Sequence, residues 1–440
     1  MNTIIGMVLA LGVIILVHEW GHFIVARLFG VRVDVFSIGF GPRLFGFKRG
    51  ATDWRVSAVP LGGYVRMAGQ DMSEVDSGDD RPTGAPDEVM SKPRWQRALI
   101  SAAGPAVNLI FPIFLLTAFY LISGEPHAAY NDQPAVILAM PANSTSPLHV
   151  GDKIISVDGT PTPNWEAVQV NTDKVYRGSP AKVTVENSGV TRVVEIPATT
   201  NLTSHIFGYH PIPAKVSQTL PGKPAARAGM KDGDIITAVD GRKISYWEEF
   251  VDVIHGSEGK TLKADVSRNG QTVPLEITPT VTTAENGEKI YQIGIAPDIA
   301  VAYKRVGPVT AVRSALGQTK ELVSETLGVI GKLFSGRVSV KELQSVVGIS
   351  RAAGEAVSLG AFAVVNFMAL ISVNLGILNL LPIPILDGGH ILMLTLEGIR
   401  RRDFSLTFKE RFIQVGLVFL LALFAYVMYN DVVRLLPTHS

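Results

Sequence analysis

Residues 4–29 read IIGMVLALGVIILVHEWGHFIVARLF and combine a membrane-length apolar run with a metal-binding pattern. Histidines at positions i and i+4 share one face of a helix, so His18 and His22 can bind one zinc ion. Glu19 lies beside the first histidine and can accept a proton from water, as in the H-E-x-x-H pattern of metallopeptidases. The alternative is a pair of helix histidines bonded to neighbours, but a charged side chain within hydrocarbon normally marks function.

The composition is that of a membrane protein with a soluble part. Hydrophobic residues make up 47% of the chain and charged residues 18%, yet the middle of the chain has ordinary polarity, so the apolar excess is local. The four uncharged or nearly uncharged segments are 4–29, 98–124, 356–386 and 412–430. Each can cross about 30 Å of hydrocarbon as a helix, which predicts a polytopic α-helical membrane protein with four spans.

Charge and cysteine content exclude other classes. A net charge of +1 gives no indication of nucleic-acid binding. The chain has no cysteine, so zinc must be bound by nitrogen and oxygen, and no disulfide can stabilise an exported domain. A cleaved signal peptide is the rival interpretation of the amino terminus. The amino terminus lacks the basic first region of a signal peptide, and cleavage would remove the histidine motif.

Lysine and arginine near the span ends predict the orientation. They cluster in the first and last connections, at Arg27, Arg32, Arg43, Lys48, Arg49, Arg55, Lys92, Arg94, Arg97, Arg400, Arg401, Arg402, Lys409 and Arg411. Both connections are therefore expected on the cytoplasmic side, with both chain ends and the long middle segment outside. His22 precedes Arg27 by about 8 Å of helical rise, which predicts a metal site near the cytoplasmic edge of the membrane.

A second motif ends the third apolar segment, where residues 379–390 read NLLPIPILDGGH. Pro382 and Pro384 cannot both continue a helix, so the chain is expected to unwind at membrane depth. Asp387 then reaches the depth of His22 and becomes the predicted third ligand, with the fourth position left for water. The alternatives are that Asp387 caps a helix, or that His390 is the ligand.

These motifs together resemble the site-2 protease family, and the resemblance covers nearly the whole chain. It implies that His18, His22 and Asp387 bind one Zn²⁺ per chain, that Glu19 is the catalytic base, and that the substrate is a transmembrane helix. It also implies a bacterial inner membrane protein with both termini and the middle segment periplasmic. One departure stands before the third span, where residues 345–349 read SVVGI instead of beginning Ser-Gly-Pro.

Residues 31–69 have the alternation of β-strands interrupted by a turn at Ile38–Pro42 and by Gly62 and Gly63. We therefore predict membrane-associated β-hairpins. In the resembling family such hairpins can clamp an unwound substrate by strand addition, which makes Gly39, Phe40 and Gly41 candidate substrate-binding residues; a surface hairpin without substrate contact is the alternative. Residues 70–93, rich in Asp, Gly, Ser and Pro, are expected to form a disordered loop.

An internal repeat lies between the second and third spans. The recurring residues, at a shift of 82, are Gly151-Asp152, Val157-Asp158-Gly159 and Trp165-Glu166, then Gly233-Asp234, Val239-Asp240-Gly241 and Trp247-Glu248. Two copies of one domain follow, and they resemble tandem circularly permuted PDZ domains. The resemblance implies peptide grooves at the late glycine loops, which are Phe207, Gly208 and Tyr209 in the first copy and Ile293, Gly294 and Ile295 in the second. A steric filter above the active site is the alternative role.

After the repeats, residues 307–354 show an amphipathic helical pattern that suits either a helix lying on the membrane or one packed on the repeats. Three amides follow in the third span. Asn366 is expected to bond neighbouring helices, whereas Asn374 and Asn379, with Pro382 and Pro384, are candidate contacts to an unwound substrate.

We therefore predict an intramembrane zinc endopeptidase. By resemblance its partners are single-span membrane substrates, either an anti-sigma factor or a remnant signal peptide, together with membrane lipids. The alternatives are a metal-ion transporter that uses the same ligands and a membrane-anchored PDZ scaffold. The predicted segments are 1–30 (first span), 31–69 (hairpin region), 70–93 (loop), 94–124 (second span), 127–213 and 214–300 (PDZ domains), 303–354 (amphipathic segment), 356–390 (third span), 391–411 (cytoplasmic loop) and 412–430 (fourth span).

Overall fold

The computed structural model describes residues 2–69, 83–141, 144–198, 205–220, 222–283, 289–335 and 346–435. The chain divides into two compact units. The first, the membrane unit, comprises Met1–Glu125 and Arg305–Ser440, and the second, the repeat unit, comprises Pro126–Lys304.

The membrane unit consists of long helices and one β-hairpin. Its helices are α1 (Asn2–Leu28), α2 (Arg94–Ser123), α6 (Pro308–Phe334), α7 (Val346–Leu359), α8 (Ala361–Leu380), α9 (Asp387–Arg400) and α10 (Leu406–Leu435), with α3 to α5 in the repeat unit. Within the described residues, α1, α2, α8 and α10 are long and apolar enough to cross a membrane. The four predicted spans therefore correspond to four helices.

Helix α2 packs against α1, α6, α8 and α9. Glycines allow two of these close approaches, because a Cβ at Gly21 of α1 would lie 2.5 Å from the carbonyl oxygen of Ala103. A Cβ at Gly376 of α8 would lie 3.0 Å from that of Pro105. Small residues let helix backbones approach in membranes, where packing contributes most of the association energy.

The third span is shorter than predicted. Gly360, at φ 102°, separates α7 from α8, so the helix that crosses the membrane begins at Ala361 and not at Ala356. Residues 345–349 are the stretch that differs from the family's Ser-Gly-Pro. Ser345 lies outside the described residues, and residues 346–349 form the start of α7.

Chain unwinding is confirmed between α8 and α9. Helix α8 ends at Leu380, and the main-chain N–H of Leu386 donates to the oxygen of Ile383 at 3.1 Å across a tight turn. Pro384 and Ile385 are the central residues of this turn, and Ile385 has φ 81°. A positive φ after proline is typical of a type II turn, whose third position favours glycine, so the β-branched Ile385 is strained.

Helix α6, in the predicted amphipathic segment, packs on other helices of the membrane unit. Its buried residues Ala311, Ala315 and Leu322 share a core with residues of α2 and α8, among them Leu116 and Val373. The Nε2 of Gln318 donates to Oδ1 of Asn366 at 3.4 Å, which agrees with the expected role of that asparagine. The short side chains of Ala311 and Ala315 allow α6 to pack closely against its neighbouring helices.

Two strands, β1 (Val33–Arg49) and β2 (Thr52–Met67), form the predicted hairpin region. Each bends near its middle, so residues 35–38 of β1 pair with residues on both halves of β2, for example Phe36 with Val65 and with Trp54. The bend of β1 contains Gly39 and Gly41, both with positive φ, at the predicted turn. The hairpin core includes Phe36, Val65 and Ile100 of α2.

Part of the predicted loop after the hairpin is ordered. Residues 70–82 lie outside the described residues, whereas Val89–Ser91 form a 3₁₀ helix. The carboxylate of Glu88 accepts hydrogen bonds from the main-chain N–H groups of Thr83 and Gly84, at 3.0 and 2.9 Å. Polar residues here form a hydrogen-bonded turn, which composition alone does not distinguish from disorder.

The repeat unit contains two four-stranded sheets of the same order. Its elements are β3 (Glu125–Ala128), β4 (Lys153–Val157), β5 (Thr160–Pro161), α3 (Trp165–Tyr176), β6 (Ala181–Asn187), β7 (Val190–Ile196), β8 (Val216–Thr219), α4 (Pro224–Arg227), β9 (Ile235–Val239), β10 (Arg242–Lys243), α5 (Trp247–Gly256), β11 (Leu262–Arg268), β12 (Gln271–Ile277), β13 (Thr280–Thr283), β14 (Lys289–Gln292), β15 (Ile295–Pro297) and β16 (Val301–Lys304). The sheets run β5-β4-β6-β7 and β10-β9-β11-β12, and each has its own hydrophobic core. We call them the first and the second repeat.

The recurring sequence motifs have matching structural roles. Asp158 and Asp240 have φ 49° and 48°, each followed by a glycine with positive φ, as tight Asp-Gly hairpin turns require. Their Oδ1 atoms accept from the main-chain N–H groups of Lys182 and Lys263, at 2.9 and 2.8 Å. The repeat therefore reflects turn chemistry that the fold uses twice.

The buried aspartate of each Gly-Asp pair is bound to an arginine. Asp152 is bonded by Arg192, and Asp234 by Arg268 at 2.7 Å. Burial by itself raises the pKa of these carboxyl groups, but hydrogen bonds and the guanidinium charges lower it below the usual value in both.

Candidate metal site in the membrane unit

Three predicted ligands converge between α1 and α9. The Nε2 atoms of His18 and His22 lie 3.2 Å apart. Asp387 directs Oδ2 to His18 at 3.3 Å and Oδ1 to His22 at 3.5 Å. Among the described residues this is the only group of three or more His, Asp or Glu side chains whose ligand atoms all lie within 4.8 Å. The two sequence motifs therefore meet in space.

Each element presents its ligand for a local reason. One helical turn separates His18 from His22, so both rings leave the same face of α1. Asp387 is the first residue of α9, directly after the strained turn. Its carboxylate faces the histidines, and His390 is outside the three-residue group. The rival ligand is therefore not part of the cluster.

Helix α2 contacts the outer nitrogen of both rings. The Nδ1 of His22 lies 2.8 Å from the carbonyl oxygen of Ile100, and the Nδ1 of His18 lies 3.2 Å from Nδ2 of Asn108. The hydroxyl of Ser372 donates to the main-chain oxygen of Asn108 at 2.8 Å. Asn108 is not among the residues predicted from the sequence, although a polar amide within the second span was a signal for it.

Glu19 lies between the ligands and the hairpin. The main-chain N–H of Val65 on β2 donates to its carboxylate. A Cβ at the neighbouring Gly63 would lie 3.3 Å from Cγ of Glu19, so the strand passes close to this side chain. The hairpin thus packs beside the predicted base, as the resemblance implied.

The donor set fits zinc. Two neutral imidazole nitrogens and one carboxylate, with an open fourth position, are typical of catalytic zinc sites. Gly104 of α2 leaves room for the ring of His22, because a Cβ there would lie 2.3 Å from Nε2. A structural site would instead fill the fourth position with protein.

The remaining predicted contacts belong to three different elements, α8, the segment after it and β1. Asn374 accepts a hydrogen bond from the hydroxyl of Thr326 on α6 at 2.7 Å. Asn379 is half-buried in the last turn of α8, next to the unwound segment with Pro382 and Pro384. Phe40, between Gly39 and Gly41, is 39% exposed at the bend of β1.

In the repeat unit, the predicted groove residues form two similar glycine turns. Gly208 and Gly294 both have φ 77°. Phe207, Tyr209 and Ile293 are buried in the repeats, at 6%, 1% and 3% exposure. Ile295 begins β15, which pairs with β8. These side chains hold the turns in place.

An apolar cavity of about 570 Å³ adjoins the histidine helix. Leu16, Val17 and Trp20 of α1 form one wall, and Val107 of α2 forms part of another. Phe36 and other hairpin residues line the rest of it. Leu16, Val17 and Trp20 lie on the side of α1 turned away from His18 and His22, and none of the three predicted ligands lines the cavity.

Comparisons with known proteins identify the family of the chain. Peptidase family M50 matches residues 6–423. The chain is 34% identical to the regulator of sigma-E protease RseP of Escherichia coli (strain K12), over 97% of this chain and 98% of that protein. It is 33% identical to a Neisseria meningitidis protein named as a zinc metalloprotease, over 99% of this chain and 100% of that protein. A PDZ domain of an SdrC-like protein from Listeria monocytogenes is 28% identical over 19% of this chain and 84% of that domain, with a TM-score of 0.17.

The family match extends from the first span into α10 and includes both metal motifs. It does not favour the metal-ion transporter or the membrane-anchored scaffold. Four apolar helices and the zinc metalloprotease relatives describe an intramembrane zinc protease. By the extent of this match, the chain belongs to Peptidase family M50.

Proposed function

We propose that His18, His22 and Asp387 hold the zinc and that Glu19 is the catalytic base. The observation that supports this most directly is the approach of three ligand atoms, from motifs at opposite ends of the chain, to within 4.8 Å of one another. When bound, zinc supplies the Lewis acidity that polarises a scissile carbonyl and acidifies water. Glu19 accepts the proton of the attacking water and passes it to the leaving amine nitrogen.

The proposed substrate is a transmembrane helix that unwinds at the site. The apolar cavity between α1, α2 and the hairpin suits the aliphatic and aromatic side chains of such a helix. Unwinding exposes main-chain N–H and C=O groups, which need partners in hydrocarbon. We assign that role to Asn379, to the backbone of Pro382 and Pro384, and to β1 near Gly39–Gly41. Asn374 can join them through its Nδ2, because the hydrogen bond from Thr326 uses only its Oδ1.

We propose a single-span anti-sigma factor or a remnant signal peptide as the substrate class, because relatives are named regulators of sigma-E protease. The chain is an inner membrane protein on the strength of those relatives and its four apolar helices. The basic first and last connections support a cytoplasmic position for them. In this arrangement both termini and the repeats are periplasmic.

We propose that the repeats are tandem circularly permuted PDZ domains that act as a size filter for substrates. Their shared strand order and their matching glycine turns support the common fold. A filter needs bulk without sequence-specific affinity, and it keeps intact proteins away from a protease in the membrane. Delivery of substrate through the grooves by strand addition is the second candidate.

The function is tested by replacing Glu19 with glutamine, which keeps the size of the side chain and removes the base. Purified parent and Glu19→Gln proteins are incubated in detergent with a single-span substrate, with and without a zinc chelator. We expect the variant to retain zinc and to lose cleavage by about 100-fold or more. Chelation should stop the parent enzyme.

The matched control is Glu397→Gln, which changes a second buried glutamate of the membrane unit far along α9. It should leave the chemical step intact in protein that folds. Full proteolysis by Glu19→Gln would exclude Glu19 as the base, and zinc loss in that variant would make Glu19 a metal ligand.

A further inference from the structure

The two ligand histidines differ in the partner of their outer nitrogen. His22 faces a carbonyl oxygen, that of Ile100, which can only accept. His18 faces the side-chain amide of Asn108, which can either donate or accept. Asn108 is fully buried, and its Oδ1 atom has no hydrogen-bond partner among the described residues.

Zinc binding changes what His18 requires from that amide. A neutral imidazole carries one hydrogen, so a ring that binds metal through Nε2 carries the hydrogen on Nδ1 and must donate it. The Oδ2 atom of Asp387 lies 3.3 Å from that Nε2 atom. The side-chain amide of Asn108, whose Nδ2 lies 3.2 Å from Nδ1, is the group that can accept this hydrogen through its oxygen.

We propose that Asn108 is a positioning residue that sets the tautomer of His18 for zinc. Rotated by half a turn about its last side-chain bond, the amide presents Oδ1 as the acceptor that Nδ1–H requires when Nε2 holds zinc. The rotation exchanges two atoms of nearly equal size and leaves the unpartnered Oδ1 facing the ring. The inference rests on the proposed ligand set.

The contact from α8 holds the main chain of Asn108 and does not engage its side-chain amide. The hydroxyl of Ser372 bonds the main-chain oxygen of Asn108 and not its side chain. That bond ties α8 to α2 at the position of the amide. Ile100 supplies the corresponding acceptor to His22, so α2 orients both rings.

The test measures zinc affinity in the purified full-length protein, by competition with a chromophoric chelator and without substrate. Asn108→Leu removes the acceptor at similar volume and should weaken zinc binding by about 10- to 100-fold. Asn108→Asp restores an acceptor and should stay within a few-fold of the parent protein. Ser372→Ala is the matched control, because it removes a bond to the same residue without touching the amide.

Thermal unfolding of the metal-free variants checks the fold, and Asn108→Ala replaces Asn108→Leu if the latter does not fold. Parent-like zinc affinity in the Leu or Ala variant would overturn the proposal. So would equal loss in Asn108→Asp, since an acceptor would then not be the requirement. His18→Ala tests the ligand assignment separately from the role of Asn108. If this variant binds zinc like the parent protein, the ligand assignment itself fails.

Discussion

Gly104 shows how closely α2 approaches the metal site. A Cβ on this residue would lie 2.3 Å from Nε2 of His22, well inside van der Waals contact. The ring would have to move, and with it one of the three proposed ligands. Absence of a side chain at this position is therefore a requirement of the site.

We predict that Gly104→Ala folds but binds zinc at least 10-fold more weakly than the parent protein, with a parallel loss of cleavage. Zinc content after dialysis measures the effect. Gly398→Ala in α9 is the matched control, because a Cβ there meets nothing within 4 Å. Alanine raises helix propensity by about 1 kcal/mol at such a site, so the control should be slightly stabilised. Equal zinc retention in both variants would contradict the steric role of Gly104.

At the level of residues, the sequence predicted ligands better than their supports. His18, His22 and Asp387 belong to motifs whose spacing reflects ligand chemistry, and the structure brings them together. The acceptor for His22 is the carbonyl oxygen of Ile100, which every residue type possesses. Sequence carries no signal for it. Asn108 was visible, but an amide in a span commonly bonds two helices.

At the level of elements, helix α5 of the second repeat contacts the glycine turn of the first. Asp252 accepts from the hydroxyl of Tyr209 at 2.6 Å and lies 3.2 Å from Nε2 of His205. Glu248 accepts from the main-chain N–H of His210 at 2.8 Å. The contact joins the two repeats through acidic side chains on one face of α5.

This contact predicts a pH dependence. Burial lowers the pKa of His205, but the hydrogen bond and charge of Asp252 raise it above the usual value overall. A raised pKa means that the stabilisation is complete below about pH 6.5 and is lost as the pH rises through the folded-state pKa. Asp252 has a lowered pKa, so its contribution is present above about pH 4 and disappears in stronger acid.

We therefore expect Asp252→Asn to destabilise the repeat unit by about 1 kcal/mol at pH 6 and by less at pH 9. Thermal unfolding across this pH range measures the difference. Glu276→Gln, an exposed substitution on β12, is the control and should show no such trend. A destabilisation that is independent of pH would remove the ionised His205 from the contact.

Among the elements, those set by local chemistry were predicted and those set by packing were not. The hairpin turn at Gly39–Gly41, the end of α8 before Pro382 and the paired Asp-Gly turns all follow from backbone preferences. The packing of α6 on α2 and α8 does not. An amphipathic pattern specifies an apolar face, but not which surface covers it.

At the level of the whole molecule, the chain enters and leaves the repeat unit through neighbouring strands. Strands β3 and β16 are paired, so the two ends of this unit lie close together. The membrane unit contains every proposed zinc ligand and the proposed base. Metal binding should therefore not require the repeats.

We predict that deleting residues 134–297 leaves zinc content unchanged and permits cleavage of a substrate that carries a fused outer domain. The parent enzyme should reject that substrate and cut the same span without the domain. Cleavage rates of both substrates by both enzymes are compared. If the deletion also rejects the bulky substrate, the filter is excluded; if it slows cleavage of the trimmed one, delivery through the grooves gains support.

The turn before Asp387 has a consequence for efforts to stabilise this enzyme. Ile385 holds φ 81° without the freedom of glycine, a conformation that costs about 1 to 3 kcal/mol. Ile385→Gly should relieve that strain and raise the unfolding temperature, even after the entropy of glycine in the unfolded chain is subtracted. The same change loosens the carboxylate, so zinc affinity should fall. A screen for heat resistance alone would thus select against catalysis at this position.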